Sequence, residues 1–220
     1  MVYRMNFDAV WRDFDLLLSG LGLGLGLAVI SIFLGSFIGL AAAFAMLSKN
    51  RPLRWIAMSY VTAIRNTPIL VLILFTFFAL PQMGVRLGKI ESFIFTLTFY
   101  SGAYLTEVFR GGLMALPRGL REAGLAIGMT EWKTSISVII PVMMRNVLPA
   151  LSNNFISLFK DTSLAAAIAV PELTFYARQI NVNTFRVIES WTVASLMYVC
   201  ACYVIAAGLR RLERKYAIPG

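Results

Sequence analysis

One uncharged run dominates the start of the chain. No Asp, Glu, Lys or Arg occurs between Leu16 and Leu47. As a helix rising about 1.5 Å per residue, this run is longer than the roughly 30 Å hydrocarbon core of a bilayer. We therefore expect a membrane-spanning helix that tilts or extends beyond the core.

The composition favours a membrane protein over a soluble one. Of the 220 residues, 59% are hydrophobic, which is more apolar side chain than a globule of this size can bury. The formal net charge of +9 raises nucleic-acid binding as an alternative. However, the Lys and Arg residues lie at the ends of apolar runs, where membrane orientation explains them better. We expect no nucleic-acid partner and, from the mixed and charged first residues, no removable signal peptide.

The residue types required for several kinds of catalysis are scarce. The sequence has no His and only two Cys, Cys200 and Cys202, both inside the last apolar run. Most zinc sites and Ser-His or Cys-His mechanisms are therefore excluded. No G-x-x-x-x-G-K-[ST] phosphate loop occurs, so we do not expect this chain to bind and hydrolyse ATP in the usual way. The sequence predicts a protein that is not an enzyme and uses no cofactor or metal.

Five apolar stretches predict an all-α integral membrane protein with five transmembrane helices. A polar segment at about 111–141 separates the third stretch from the fourth and is predicted to carry a cytosolic helix. Gly111 and Gly112 are expected to break the third helix, and Pro141 to stop the polar segment. All of 1–220 is predicted to form one transmembrane domain. The predicted spans are about 16–47, 55–80, 91–110, 145–170 and 190–209.

Glycines recur through the first span at Gly20, Gly22, Gly24 and Gly26. Small residues at four-residue spacing let helices approach closely in lipid. The alternative is that glycine is simply tolerated in membrane helices. We favour close packing.

The polar segment contains a short helix with small side chains on one side. Ala123 and Gly124 are followed by Gly128 four residues later, which predicts a nearly bare face that another protein can approach. The alternative is an ordinary cytosolic loop.

This segment resembles the signature loop of the membrane subunits of bacterial ATP-binding-cassette importers. That loop has Glu-Ala-Ala, three residues, Gly, nine residues, Ile, one residue and Leu-Pro. Here Gly124 replaces the second Ala, and Val138-Ile139-Ile140-Pro141 stands at the end. Further matches resemble the polar amino-acid importers of this superfamily: Arg65-Asn66-Thr67-Pro68, Ser101-Gly102-Ala103-Tyr104, Glu107, Arg110-Gly111-Gly112 and Lys160-Asp161-Thr162-Ser163-Leu164.

The resemblance implies a permease subunit that carries a polar amino acid across the bacterial inner membrane, energised by a partner. It implies two cytosolic ATP-binding subunits, a second permease (the same chain or a paralogue) and an extracytoplasmic solute-binding protein. The other contacts are the amino-acid substrate and membrane lipid. The residues implied in coupling to the ATPase are Arg121, Glu122, Ala123, Gly124, Gly128 and Pro141.

The distribution of basic residues predicts the orientation. With the polar segment in the cytosol, twelve of the 20 Lys and Arg residues lie inside, six lie outside and two lie within spans. Because cytosolic loops carry the excess of Lys and Arg, we expect an external N-terminus and a cytosolic C-terminus.

Arg65 interrupts the second span, and Pro68 removes a helical hydrogen bond just beyond it. An unpaired guanidinium in a bilayer costs at least about 2.5 kcal/mol. Arg65 therefore either faces protein, water or a ligand, or extends to the cytosolic surface. With Asn66 and Thr67, it is a candidate to bind the carboxylate of an amino acid.

The fourth span carries a second polar group near its end. Asp161 with Thr162 and Ser163 is a candidate to bind the substrate ammonium. Alternatively, Lys160 and Asp161 pair with each other or mark the external end of the helix, or these residues form a gate that the loaded binding protein opens.

Two other functional classes remain to be compared. A secondary carrier or channel would use intramembrane charges such as Arg65, Glu107 and Asp161 for ion coupling, and would not need the polar segment. An intramembrane enzyme is disfavoured, because no Ser-Lys pair at helical spacing and no paired aspartates are apparent.

Overall fold

The computed structural model describes residues 3–216, in which helices and turns occur but no strand. The all-α prediction is confirmed. The predicted external N-terminus and cytosolic C-terminus stay predictions, and the terminal residues 1, 2 and 217–220 lie outside the described residues. The α-helices are α1 Asp8–Arg12, α2 Phe14–Leu47, α3 Arg51–Arg65, α4 Ile69–Leu74, α5 Lys89–Met114, α6 Arg118–Ala126, α7 Glu131–Thr134, α8 Ile140–Asp161, α9 Leu173–Thr184 and α10 Val187–Tyr216. Short π-helical or 3-10 segments are Phe75–Ala79, Leu80–Met83, Ser135–Ile139 and Thr162–Ile168.

The chain forms two compact units. The first combines the chain up to Phe33 with Thr67–Thr98 and Phe155–Ile205. The second combines Leu34–Asn66 and Phe99–Asn154 with the chain from Ala206 onward. Four long helices (α2, α5, α8 and α10) contribute residues to both units.

Three helical segments within residues 3–216 are long and apolar enough to cross a membrane: Phe14–Leu47, Glu131–Ile168 and Val187–Tyr216. A fourth is possible if α3 and the segment Ile69–Met83, bent by 102°, together make one span. The bend falls where Pro68 precedes α4, because proline cannot continue the hydrogen bonding of α3. The count of five transmembrane helices stays a prediction.

The third predicted helix does not end at its glycine pair. Helix α5 continues through Gly111 and Gly112 to Met114, so the expected break was wrong. A Cβ on Gly112 would overlap Val147 of α8, and its nearest approach to the Met143 side chain would be 3.1 Å. Here glycine permits close contact between two helices, and its low helix propensity of about 1 kcal/mol is not enough to end the helix.

Pro141 also fails to stop the segment that precedes it. The helical segment runs from Glu131 to Ile168 as one length, with Pro141 in the first turn of α8. The π-helical turn Ser135–Ile139 lies directly before it. Such a turn changes the hydrogen-bonding register, which accommodates a residue that has no N–H to donate.

The first-span glycines divide into two faces. A Cβ on Gly20 would lie 2.7 Å from the carbonyl carbon of Glu172, and a Cβ on Gly24 would lie 3.2 Å from Thr162 Oγ1. Nothing lies within 4 Å of a Cβ on Gly22 or Gly26. Close packing thus applies to one face of α2, with the other two glycines in open space.

Glu172, against which Gly20 packs, is fully buried and forms the N-cap of α9. Its carboxylate accepts hydrogen bonds from the backbone N–H groups of Thr174 and Phe175 at 2.9 and 2.8 Å and from Tyr198 Oη at 2.8 Å. Burial raises the pKa of Glu172, and these hydrogen bonds act in the opposite direction. A buried carboxyl with three donors is satisfied, and it fixes the start of α9 beside α2.

Candidate functional site

Helices α6 and α7 form a hairpin in the second unit. Helix α6 begins after Pro117 and ends before Gly128, whose φ of +83° lies in the left-handed region. The N–H of Gly128 donates to Leu125 O at 3.0 Å, and the N–H of Met129 donates to Gly124 O at 3.2 Å. Nothing lies within 4 Å of a Cβ on Gly128. Gly128 is therefore required by the backbone turn that ends α6.

Gly124 has a different role in the same hairpin. It is buried, and a Cβ there would lie 2.6 Å from Thr134 Cγ2 and 3.0 Å from Thr134 Oγ1. The small face predicted to receive another protein is thus occupied, at Gly124, by helix α7 of the same chain. Arg121 reinforces the hairpin, because its Nε and Nη2 donate to Glu131 Oε2 at 2.9 and 2.8 Å.

The outer side of this hairpin is apolar and exposed. Ile127 is 78% exposed and Trp132 is 76% exposed. Glu122 and Ala123 are exposed as well, as is Pro141 farther along the chain. A cavity of about 1110 Å³ beside the hairpin is lined by Arg121, Glu122 and Trp132, among others. The hairpin therefore presents both apolar and charged groups to a partner.

A second cavity, of about 740 Å³, lies in the same unit where α3 ends beside α5. Its polar lining includes Arg65, Asn66, Tyr104, Glu107 and Arg110. Arg65 Nη1 lies 3.8 Å from Glu107 Oε1, and its guanidinium stands 5.2 Å from the centre of the Tyr104 ring. Arg65 thus contacts protein and lines a cavity.

The sequence did not identify the groups that surround Arg65. Glu107 and Arg110 stand out in the sequence as charges and as residues that match the family, but the sequence does not place either one beside Arg65. The available signal was the spacing of Tyr104, Glu107 and Arg110, since residues three apart share one face of a helix. A contact between that face and Arg65, on a separate helix, required the tertiary structure.

The other predicted polar group lies in the first unit. Thr162 is buried and donates from Oγ1 to Phe159 O at 2.6 Å. Asp161 and Ser163 are half-buried and Lys160 is exposed. No Lys160–Asp161 ion pair occurs among residues 3–216, contrary to the alternative in which these two residues pair. The segment Thr162–Ile168 packs against α4, the helix that follows Thr67 and Pro68.

Comparison with known proteins gives the family. A family model described as the binding-protein-dependent transport system inner membrane component matches residues 31–218. The chain belongs to this family. It is 37% identical to the glutamine transport system permease protein GlnP of Escherichia coli, over 97% of this chain and 100% of that protein. It is 37% identical to the L-cystine transport system permease protein TcyB of Bacillus subtilis, over 95% and 90% of the two chains.

The fold of this permease also matches a solved structure. A crystal structure of an amino acid ABC transporter with histidines has a TM-score of 0.87 and 30% sequence identity, covering 97% of this chain and 100% of the other. The predicted membership in the amino-acid permeases of ABC importers is therefore confirmed. The relatives are transport subunits rather than enzymes.

Proposed function

We propose that this permease forms the path by which a polar amino acid crosses the cytoplasmic membrane, driven by ATP hydrolysis on a partner subunit. The observation that carries the proposal is the α6–α7 hairpin, which is internally braced and exposes Ile127 and Trp132. An exposed apolar surface of this kind favours a protein partner. The sequence itself has no phosphate loop, so the partner supplies the ATPase.

The proposed assembly has two permease subunits, either two copies of this chain or this chain and a paralogue. Two ATP-binding subunits dock on the hairpins, and an extracytoplasmic solute-binding protein delivers the amino acid. Each permease is proposed as one domain with five spans, an external N-terminus and a cytosolic C-terminus. The excess of basic residues in the segments assigned to the cytosol supports this orientation.

Site-specific crosslinking tests the partner and the orientation together. We expect a cysteine introduced at Ile127, in a chain with Cys200 and Cys202 replaced by Ser, to crosslink to a co-purified ATPase subunit. Met83 is 73% exposed and is assigned to the outer side, so a cysteine there serves as the matched control and should not crosslink. Crosslinking from position 83 but not from 127 would contradict the proposal. Native mass spectrometry of the same complex should give two permease chains.

The proposed path includes both polar groups predicted from sequence. Arg65, Asn66, Thr67 and Pro68 provide one, and Lys160, Asp161, Thr162 and Ser163 provide the other. The names of the relatives, which refer to glutamine and L-cystine transport, support an amino acid as the substrate. Because Arg65 lines a cavity, its guanidinium is available for a carboxylate.

Removing the charge of Arg65 or of Asp161 should slow amino-acid uptake while the subunits stay assembled. Losing a hydrogen bond to a charged group costs about 1.5–3 kcal/mol, or roughly tenfold or more in rate. We expect Arg65→Gln and Asp161→Asn each to lower amino-acid uptake by about that factor in proteoliposomes. Subunit assembly and basal ATPase activity should remain. Wild-type uptake by both variants would show that the proposed path is wrong.

A further inference from the structure

The cavity at the end of α3 contains two carboxylate oxygens with unequal surroundings. Glu107 Oε2 accepts hydrogen bonds from Arg110 Nε at 3.0 Å and from Arg110 Nη2 at 2.6 Å. Glu107 Oε1 faces Arg65 Nη1 at 3.8 Å, which is too long for a hydrogen bond. Within residues 3–216, Glu107 Oε1 accepts no hydrogen bond. One oxygen is thus engaged by Arg110, and the other is available to the cavity.

The Arg65 guanidinium, opposite Glu107 Oε1, has hydrogen-bond donors that no described residue uses. Its side chain is 42% exposed, against 25% for Glu107, and it donates no hydrogen bond to any residue that the structure describes. The Tyr104 ring lies against it at 5.2 Å, a distance at which cation–π attraction holds a guanidinium in place. The donors of Arg65 are therefore positioned but unused.

We propose that this cavity binds the zwitterionic head of an α-amino acid, with the carboxylate on Arg65 and the ammonium on Glu107 Oε1. The inference rests on the proposed transport function and assigns Glu107 to the substrate. In an α-amino acid, one carbon atom separates the two charged groups, so the protein groups that bind them must be neighbours. Arg65 Nη1 and Glu107 Oε1 are neighbours at 3.8 Å.

Binding exchanges one long ionic contact for two short charge-assisted hydrogen bonds, which are the stronger kind. Arg110 does not contact the substrate in this arrangement. It is a positioning residue, because its two hydrogen bonds to Oε2 direct Oε1 toward Arg65. Tyr104 is a positioning residue too, because its ring holds the Arg65 guanidinium by a cation–π contact.

Analogues of one amino acid test the proposal on the wild-type complex. The purified permease–ATPase complex, without the solute-binding protein, is titrated calorimetrically with three probes. These are L-glutamine, glutaramate (which lacks the α-ammonium) and γ-aminobutyramide (which lacks the α-carboxylate). We expect each analogue to bind at least about tenfold more weakly than L-glutamine, because each loses one charge-assisted hydrogen bond.

Variants then assign each charged group to its partner. Glu107→Gln should weaken L-glutamine binding about tenfold and leave glutaramate binding unchanged. Arg65→Gln should weaken L-glutamine and glutaramate and leave γ-aminobutyramide unchanged. Glu91→Gln, which alters an exposed carboxylate on the same helix, is the matched control and should bind all three probes as the wild type does.

The outcomes separate this inference from the proposed function. Suppose that the wild-type complex imports L-glutamine but binds glutaramate as tightly as L-glutamine. That result would overturn the inference and leave the proposed transport function intact. The inference is also overturned, with transport intact, if Asp161→Asn rather than Glu107→Gln removes the preference for L-glutamine over glutaramate. An assembled complex that imports L-glutamine but does not bind it in this titration overturns the inference as well. If no amino acid is imported under any condition, the proposed function itself fails.

Discussion

Gly124→Val should abolish ATP-driven uptake, with a loss well above tenfold. A Cβ at residue 124 would lie 2.6 Å from Thr134 Cγ2, and the branched side chain of valine extends farther toward α7. Overpacking a close contact costs about 1–3 kcal/mol, which is enough to separate α6 from α7. The Arg121–Glu131 pair, at 2.8 Å, would be lost with that displacement. Uptake and ATPase association in membranes are the two measurements.

The matched control for this substitution is Gly119→Val. Gly119 is in the same helix, α6, and nothing lies within 4 Å of a Cβ there. We expect Gly119→Val to retain most of the wild-type uptake. Normal transport by Gly124→Val would contradict the role of Gly124 in the hairpin, and a loss of uptake in Gly119→Val alone would place a partner contact on the Gly119 side of α6.

Gly20→Leu should destabilise the permease strongly. A Cβ on Gly20 would lie 2.7 Å from Glu172 C and 2.8 Å from Leu173 N. Both atoms belong to the backbone, and Glu172 is held in place by its hydrogen bonds to the first turn of α9. Because neither side can give way, we expect a cost of at least about 3 kcal/mol, the upper part of the range for overpacking. The melting temperature in detergent should fall clearly below that of the wild type.

Gly22→Leu provides the comparison, since its Cβ meets nothing within 4 Å in the described residues. Its melting temperature as a monomer should be close to that of the wild type. Equal melting temperatures for Gly20→Leu and Gly22→Leu would contradict the division of α2 into two faces. A loss of permease pairing in Gly22→Leu alone would place the open face of α2 in the subunit interface.

Local sequence rules were sufficient for the class of fold and for some of its boundaries. The uncharged run at 16–47 predicts a helix, and α2 spans Phe14–Leu47. Pro117 directly precedes α6, and Gly128 lies just beyond its end, because proline and glycine act on the backbone of their immediate neighbours. The matching residues around the signature loop predict the family, which the comparisons confirm.

The same rules failed where the deciding contact is distant in the chain. Gly112 does not end α5, because Val147 and Met143 occupy the space beside it. Pro141 does not end its segment, because a π-helical turn precedes it. A local sequence pattern gives the tendency of a residue to continue or end a helix. Packing against another helix decides whether the helix in fact ends there.

The sequence by itself therefore determined that this chain is helical, membrane-embedded and an ABC-importer permease. It also predicted that Arg65 lies within a span, where a charge needs a partner. Only the tertiary structure decided that Glu107 and Tyr104 lie beside Arg65, and that Gly124 packs against Thr134. The physical reason is that periodicity and backbone preference act within a helix, whereas ion pairs and close packing depend on which helices meet.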